Sequence, residues 1–180
     1  MPGTKPVHTP TAKLPAELTS FIGRRRELSE ARRMLSGSRL VTLSGAGGVG
    51  KTRLAMRMAA ELRRTFRDGV WFVGLDALHN PSLLAHAVAE TFQLRQASAD
   101  PTADLVQYVE DKQLLLILDN CEHLSDACAV LAGKLLAASP GLRILATSRH
   151  LLGVEGEQIM PVHPLSVPAA DAAVSAGDAT

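Results

Sequence analysis

Aromatic side chains make up only 3% of this 180-residue chain. A surface that stacks bases or grips a partner through aromatic anchors is therefore not legible in it. Cysteine is scarcer still. Cys121 and Cys128 are the only two, too few for a disulfide framework, and each reads as a free, half-buried thiol. There is no CxxC pair and no pair of histidines four residues apart, so no metal site is readable from such spacings. Charge of one sign is also missing: 19 basic residues stand against 18 acidic ones, for a net charge of +1. Binding a polyanion would then need a strong local patch, because neutralising phosphates supplies most of that affinity. No apolar run reaches the ~18 residues of a membrane span, and the opening stretch MPGTKPVHTPTAKLPAELTS has no apolar signal core. The expectation is a cytoplasmic protein in a reducing compartment, with no membrane contact and no direct nucleic-acid binding by this domain.

What the chain does have is apolar patterning. Hydrophobic residues make up 46% of it, enough for one packed core. Residues 1–16 are rich in Pro and Thr and read as an extended lead-in, 17–165 as one compact domain, and 166–180 (SVPAADAAVSAGDAT from Ser166) as a flexible tail. Beyond Val167 and Val174 that tail has no apolar side chain larger than alanine or proline with which to offset its ordering entropy.

Strand-like runs recur at 39–44 (RLVTLS), 69–75 (GVWFVGL), 113–119 (QLLLILD) and 142–148 (LRILATS), with a weaker fifth at 157–163 (EQIMPVH). The second to fourth are apolar at successive positions, as strands covered on both faces are. Between them the period changes to that of a helix. Leu54, Met58, Leu62 and Phe66 form one stripe, Leu124, Cys128, Leu131 and Leu135 another, and Leu28, Ala31 and Leu35 an early third. Asn80-Pro81 and Asp100-Pro101 each place a capping side chain before a first-turn proline. Alternating strand and helix predicts an α/β fold: a three-layer α/β/α sandwich around a five-stranded, mostly parallel sheet.

The most specific feature is the loop between the first strand and the second helix. Gly45-x4-Gly50-Lys51-Thr52 matches GxxxxGK[ST], the phosphate-binding loop of P-loop NTPases. Glycines at 45, 47, 48 and 50 let the backbone approach a ligand closely, and the N–H groups of such a loop can converge on phosphate oxygens. Val49 and Arg53 complete the stretch. The helix beginning near Lys51 adds its positive end. Lys51 would bridge the β- and γ-phosphates, and Thr52 would ligate Mg²⁺.

Asp119 ends a buried strand, where a carboxylate can complete the Mg²⁺ shell. Many related ATPases follow that aspartate with a second acid. Here the position is Asn120, an amide that can orient water but is a poor base, and Glu122 could serve if the loop turns it inward. At the end of ILATSR, Arg149 could reach a γ-phosphate and distinguish ATP from ADP.

With these residues in place, the chain resembles the nucleotide-binding domain of STAND-class signalling ATPases. That class includes the NB-ARC domains of plant disease-resistance proteins and apoptotic activators. The closest resemblance is to the bacterial branch, in which the module sits inside SARP- and LuxR-type transcription factors. The stretches that carry it are LTSFIGRRREL, LVTLSGAGGVGKTRLA, LLLILDNCEHL, ILATSRHLLGVEGE and VHPLSVP, which span about residues 14 to 168.

The resemblance implies that Phe21, Ile22, Gly23 and Arg24 line the adenine side, that Asp119 is the Walker B metal ligand and that Arg149 is the sensor arginine. It implies ATP or ADP with Mg²⁺ as cofactors, slow hydrolysis that resets a signalling state, and nucleotide-dependent self-association of the parent protein. Two departures stand out: Arg25 replaces an acidic residue of the usual motif, and Asn120 replaces the second acid. The chain also stops inside what resembles the linker to a helical and a winged-helix domain, and so reads as truncated after the core ATPase domain. Two other functions remain open at this point, a plain catalytic P-loop ATPase and an ADP-binding remnant without turnover.

Overall fold

Strands that are apolar at successive positions have to be covered on both faces, and helices with one apolar stripe are what can cover them. The computed structural model describes residues 24–94 and 99–164 and has this arrangement. The elements are α1 (Arg25–Gly37), β1 (Leu40–Ser44), α2 (Lys51–Leu62), β2 (Val70–Gly74), α3 (Leu84–Thr91), α4 (Pro101–Val109), β3 (Leu115–Asp119), α5 (Ser125–Ala138), β4 (Arg143–Ser148) and β5 (Glu157–Pro161). The strands form one sheet in the order β2-β3-β4-β1-β5. Every pairing is parallel, so the sheet is wholly rather than mostly parallel among the described residues. The expected lead-in at 1–16, the tail at 166–180 and the segment Phe21, Ile22 and Gly23 lie outside the described residues.

The side chains of the sheet separate into two cores. On one face Leu116, Leu118, Ile144 and Ala146 pack with Val88 of α3, Leu105 of α4 and Leu135 of α5. On the other, Val41, Leu43, Ile117 and Leu145 pack with Leu28 of α1 and with Leu54 and Met58 of α2. The alternation of Leu116 and Leu118 against Ile117 is the period of two that sends neighbours to opposite faces. β3 is buried at all five positions. Each large aliphatic side chain removed from water there contributes about 1.5–3 kcal/mol, so this strand anchors both layers at once. Trp71 belongs to the first core, edge-on to Phe92 with ring centroids 5.2 Å apart.

The capping signals act where they were expected, with one difference. Asp100 accepts hydrogen bonds from the N–H groups of Thr102 and Ala103 and opens α4. Asn80 accepts from the N–H of Ser82, but what it opens is a 3₁₀ turn over Pro81–Leu83, and the α-helix begins only at Leu84. Because all strands run the same way, the ends of β1, β3 and β4 emerge side by side at one edge of the sheet, and the functional candidates gather at that edge.

Candidate functional site

The chain leaves β1 at Ser44 and enters α2 at Lys51. It makes the turn with Gly48 at φ 78° and Gly50 at φ 91°, left-handed conformations that a Cβ would strain. No side chain caps the start of α2. The positive end of the helix faces the loop. Lys51 is 8% exposed, and a buried ammonium needs acceptors. Its Nζ donates to the carbonyls of Gly45 at 2.8 Å and Ala46 at 2.9 Å. The lysine is thus folded against its own loop, with two of its three N–H donors engaged.

Asp119, at the tip of β3 and also 8% exposed, faces this loop. Thr52 Oγ1 lies 2.8 and 3.0 Å from the two carboxylate oxygens. The two groups expected to share a metal ion are therefore in direct contact. A second hydroxyl holds the carboxylate from the other side: Thr147 Oγ1 donates to Asp119 Oδ1 at 2.6 Å and accepts from the N–H of Asn120 at 2.9 Å. Asn120 itself has φ 67° and ψ 51°, the left-handed region that asparagine tolerates better than most residues.

Sequence reasoning gave Thr147 no role. Its place follows only from the strand register, in which Leu118 pairs with Ala146 and the next residues along, Asp119 and Thr147, fall opposite each other.

Arg149 and Glu122 also meet. Arg149 Nε is 3.4 Å from Glu122 Oε1, the arginine side chain being 59% exposed and the glutamate 19%. Glu122 Oε2 is buried without a hydrogen-bond partner. The guanidinium extends over the phosphate loop, so that a Cβ at Gly47 would lie 3.0 Å from Arg149 Nη2. The loop between β3 and α5 thus does turn Glu122 inward, and Arg149 spans the mouth between Glu122 and the glycines. Arg53 lies exposed in the first turn of α2.

Arg24, which the resemblance put on the adenine side, is 4% exposed. It donates through Nη2 to the carbonyl of Val49 and, at 3.2 Å, to that of His163, with Glu27 3.9 Å from Nη1. It ties the loop to the chain leaving β5, a link that nothing in the sequence pattern announced.

Both cysteines are free and fully rather than half buried, in the core behind the β3 tip. A hydrogen bond with Cys128, together with burial, pushes the Cys121 thiol well above the ordinary thiol range, which keeps it protonated and inert. Among the described residues no group of three or more His, Cys, Asp or Glu side chains is placed to hold a metal. A cation here would rest on Thr52, Asp119 and its own ligands, as Mg²⁺ commonly does. No described helix is long and apolar enough to cross a membrane.

Comparison with known proteins bears on the family and the fold. A family model described as an AAA domain matches residues 32–154. A putative HTH-type transcriptional regulator of Mycobacterium tuberculosis is 43% identical over 137 residues, which is 76% of this chain and 15% of that protein. An uncharacterized protein of the same organism is 40% identical over 151 residues, 83% of this chain and 38% of the relative. The chain therefore spans well under half the length of either relative. Among solved structures, a STAND protein with a tetratricopeptide repeat sensor from Pyrococcus horikoshii superimposes with a TM-score of 0.60 at 18% identity, over 88% of this chain and 25% of that one. At that identity the likeness speaks for the fold, a P-loop α/β sandwich.

Proposed function

Because this chain belongs to the AAA domain family, we propose that it is the ATP- and ADP-binding switch module of a STAND-type, NB-ARC-like signalling or transcriptional regulator, with slow Mg²⁺-dependent hydrolysis of ATP. The observation that carries the reading is the direct contact of Thr52 with Asp119 beside a lysine held inside a glycine loop. Lys51 and Asp119, both buried, have no reason to lie together in a chain that only needs to fold, since each buried polar group costs free energy until it is paired.

The residues fit the group the family uses. Gly45, Gly47, Gly48, Val49 and Gly50 form the cradle, Lys51 exchanges its loop carbonyls for phosphate oxygens, and Arg53 extends the first turn. Thr52 and Asp119 are the protein ligands of Mg²⁺, which when bound supplies charge neutralisation at the β- and γ-phosphates. Phe21, Ile22, Gly23 and Arg24 are assigned to the adenine side.

Arg149 reads the γ-phosphate. The γ-phosphate competes with Glu122 for the same guanidinium, so that arrival of ATP frees the glutamate carboxylate to take a proton from the water whose oxygen bonds the γ-phosphorus as the bond to the β-phosphate oxygen breaks and ADP leaves. ADP leaves the Arg149–Glu122 pair in place. The difference between the two ligands is thus a difference in ion pairing, which is what a two-state switch requires. With Asn120 in place of a second acid, turnover is slow.

A regulator is favoured over a plain ATPase by the similarity to the HTH-type relative. Self-association of the parent protein would follow the bound nucleotide, and the cytoplasm is the proposed location.

The test is calorimetry with ATP and ADP in Mg²⁺. Lys51→Ala is expected to remove most affinity for both, because a charge-assisted contact is lost. Arg149→Ala is expected to weaken ATP by roughly tenfold or more and ADP hardly at all. Unchanged ADP affinity in Lys51→Ala refutes the phosphate site. Equal losses in Arg149→Ala refute the sensor role, and turnover above about 1 s⁻¹ points to the catalytic ATPase instead.

A further inference from the structure

At the end of the sheet opposite the phosphate loop lies a cavity of about 380 Å³. Its floor is apolar. Leu35 near the end of α1, Leu62 at the end of α2 and Phe66 in the turn that follows supply it, the first two 3% and 8% exposed. Two arginines also line it: Arg32 of α1 and Arg143, the first residue of β4.

Arg143 is out of place for a residue that only needs to pack. β4 lies between β3 and β1 in the sheet, and every other position of the strand is buried. Alternation puts Arg143 on the same face as Leu145, the face that α1 and α2 cover. Its N–H donates to the carbonyl of Leu114 at 3.0 Å. Its side chain is in a partly buried position, yet the guanidinium has no hydrogen bond or ion pair among the described residues. A cation withdrawn from water normally has a partner.

The other arginines nearby do have partners. Arg39 donates to the carbonyls of Leu136 and Ser139 at 2.7 and 3.1 Å, and Arg67 donates to Asp68 and to the carbonyl of Asp111. Arg32 stands between the two cases. Its one ion pair is with Glu61 at 3.9 Å, and Arg57 holds that glutamate more closely, at 3.2 Å. The cavity thus presents two guanidiniums with donors to spare beside an apolar floor. The hydroxyl of Thr65 and the amide of Gln113 also line it, and neither makes a side-chain hydrogen bond within the described chain.

This combination selects a class of ligand. The volume falls at the low end of the range for small-molecule pockets, about 300–1,000 Å³. A carboxylate matches the planar fork of a guanidinium with two parallel bonds, and the floor needs an apolar body to cover it. α1 and α2 both end at the cavity, so their carbonyl ends place partial negative charge there. That field keeps the guanidiniums in place without supplying the acceptor they lack, and it tolerates one negative charge on a ligand better than two.

We propose that this cavity is a second binding site, for a small monocarboxylic acid whose carboxylate is held by Arg143 and Arg32 and whose apolar body lies on Leu35, Leu62 and Phe66. It is separate from the phosphate loop. Thr147, which holds Asp119, is four residues further along β4 from Arg143, about 13 Å away. The proposal does not depend on any nucleotide reading.

The experiment is an amide NMR titration of the full chain without nucleotide. The probe is 2-naphthoate. Beside it run 2-naphthylmethanol, which has the body without the charge, and acetate, which has the charge without the body. The backbone amides of Phe66, Gly141 and Arg143 are expected to shift and saturate with 2-naphthoate, with a Kd on the order of 1 mM or lower, while those of residues 45–52 stay where they are. The alcohol is expected to bind roughly tenfold more weakly or worse, and acetate not to saturate. Arg143→Gln is expected to bring 2-naphthoate down to the level of the alcohol and to leave the alcohol unchanged, and Arg32→Gln, on the exposed side of a helix, to act in the same direction. Failure of 2-naphthoate to saturate at those amides overturns the proposal. So do equal affinities for acid and alcohol, an Arg143→Gln variant that binds the acid as the parent does, or shifts confined to residues 45–52, which assign the acid to the phosphate loop. The three probes on the unaltered chain decide the matter even if Arg143→Gln does not fold.

Discussion

Asp119 is the residue on which the site turns, and two threonines hold its side chain. Thr52 and Thr147 approach the carboxylate from α2 and β4, so its position is set by two separate elements. Thr147→Val keeps the shape and removes the hydroxyl, leaving the partly buried Asn120 N–H without its acceptor and Asp119 Oδ1 with Thr52 as its remaining hydroxyl donor. An unsatisfied buried group costs about 1–3 kcal/mol, and stability should fall by that order in urea. The more telling readout is metal dependence. Mg²⁺ should strengthen nucleotide binding less in Thr147→Val than in the parent, with binding in EDTA unchanged, and Thr147→Ser should behave like the parent. If Val and Ser variants respond to Mg²⁺ alike, Thr147 is a packing residue only. That Lys51, Thr52 and Asp119 would meet was legible in the sequence, because the first two follow a glycine spacing and the third ends an apolar strand. Thr147 and the Arg24–Val49 bond were not, because each depends on which strand ends lie side by side.

At the scale of elements, the phosphate loop is a joint between β1, α2 and β5. Gly45 shows how tight the joint is: a Cβ there would come within 2.5 Å of the Val162 carbonyl and 3.2 Å of Val49 Cγ2, while the Val162 N–H donates to Ser44 O at 2.6 Å. Gly45→Ala must push β5 away from β1 or distort the loop, and overpacking of this kind costs about 1–3 kcal/mol. Urea unfolding is expected to show a lower midpoint with an unchanged slope, along with weaker nucleotide binding. A variant of full stability and full affinity would mean that the loop is not constrained from behind. The fifth strand was the faintest in the sequence for a related reason. β5 is an edge strand with Gln158 and Ile159 exposed, so one side lacks the continuous apolar run that marked β3 and β4. The helix expected at Pro81 was misplaced by one turn because a capped proline opens a 3₁₀ turn as readily as an α-helix.

At the scale of the whole molecule, a ligand that binds only the folded state stabilises it by mass action. ADP with Mg²⁺ at a hundred times its dissociation constant adds about 2.7 kcal/mol, which for a domain of this size raises Tm by roughly 5–10 °C. The Lys51→Ala variant should show almost none of that shift, and a shift of equal size in the variant would place the stabilising ligand elsewhere. The layered fold was legible because burial on both faces and helical stripes are properties of consecutive residues. The cavity beside Arg143 was not, because it appears only once the ends of α1 and α2 meet the start of β4 at one edge of the sheet.

One guanidinium joins the beginning of the described chain to its end. Arg24 precedes α1, His163 follows β5, and the same side chain holds the carbonyl of the one and the underside of the glycine turn at Val49. Entry and exit are therefore tethered to the part of the protein that a bound phosphate would pull on. A small shift of that turn would tug both leads at once, so whatever is attached to either lead feels the load from a single lever.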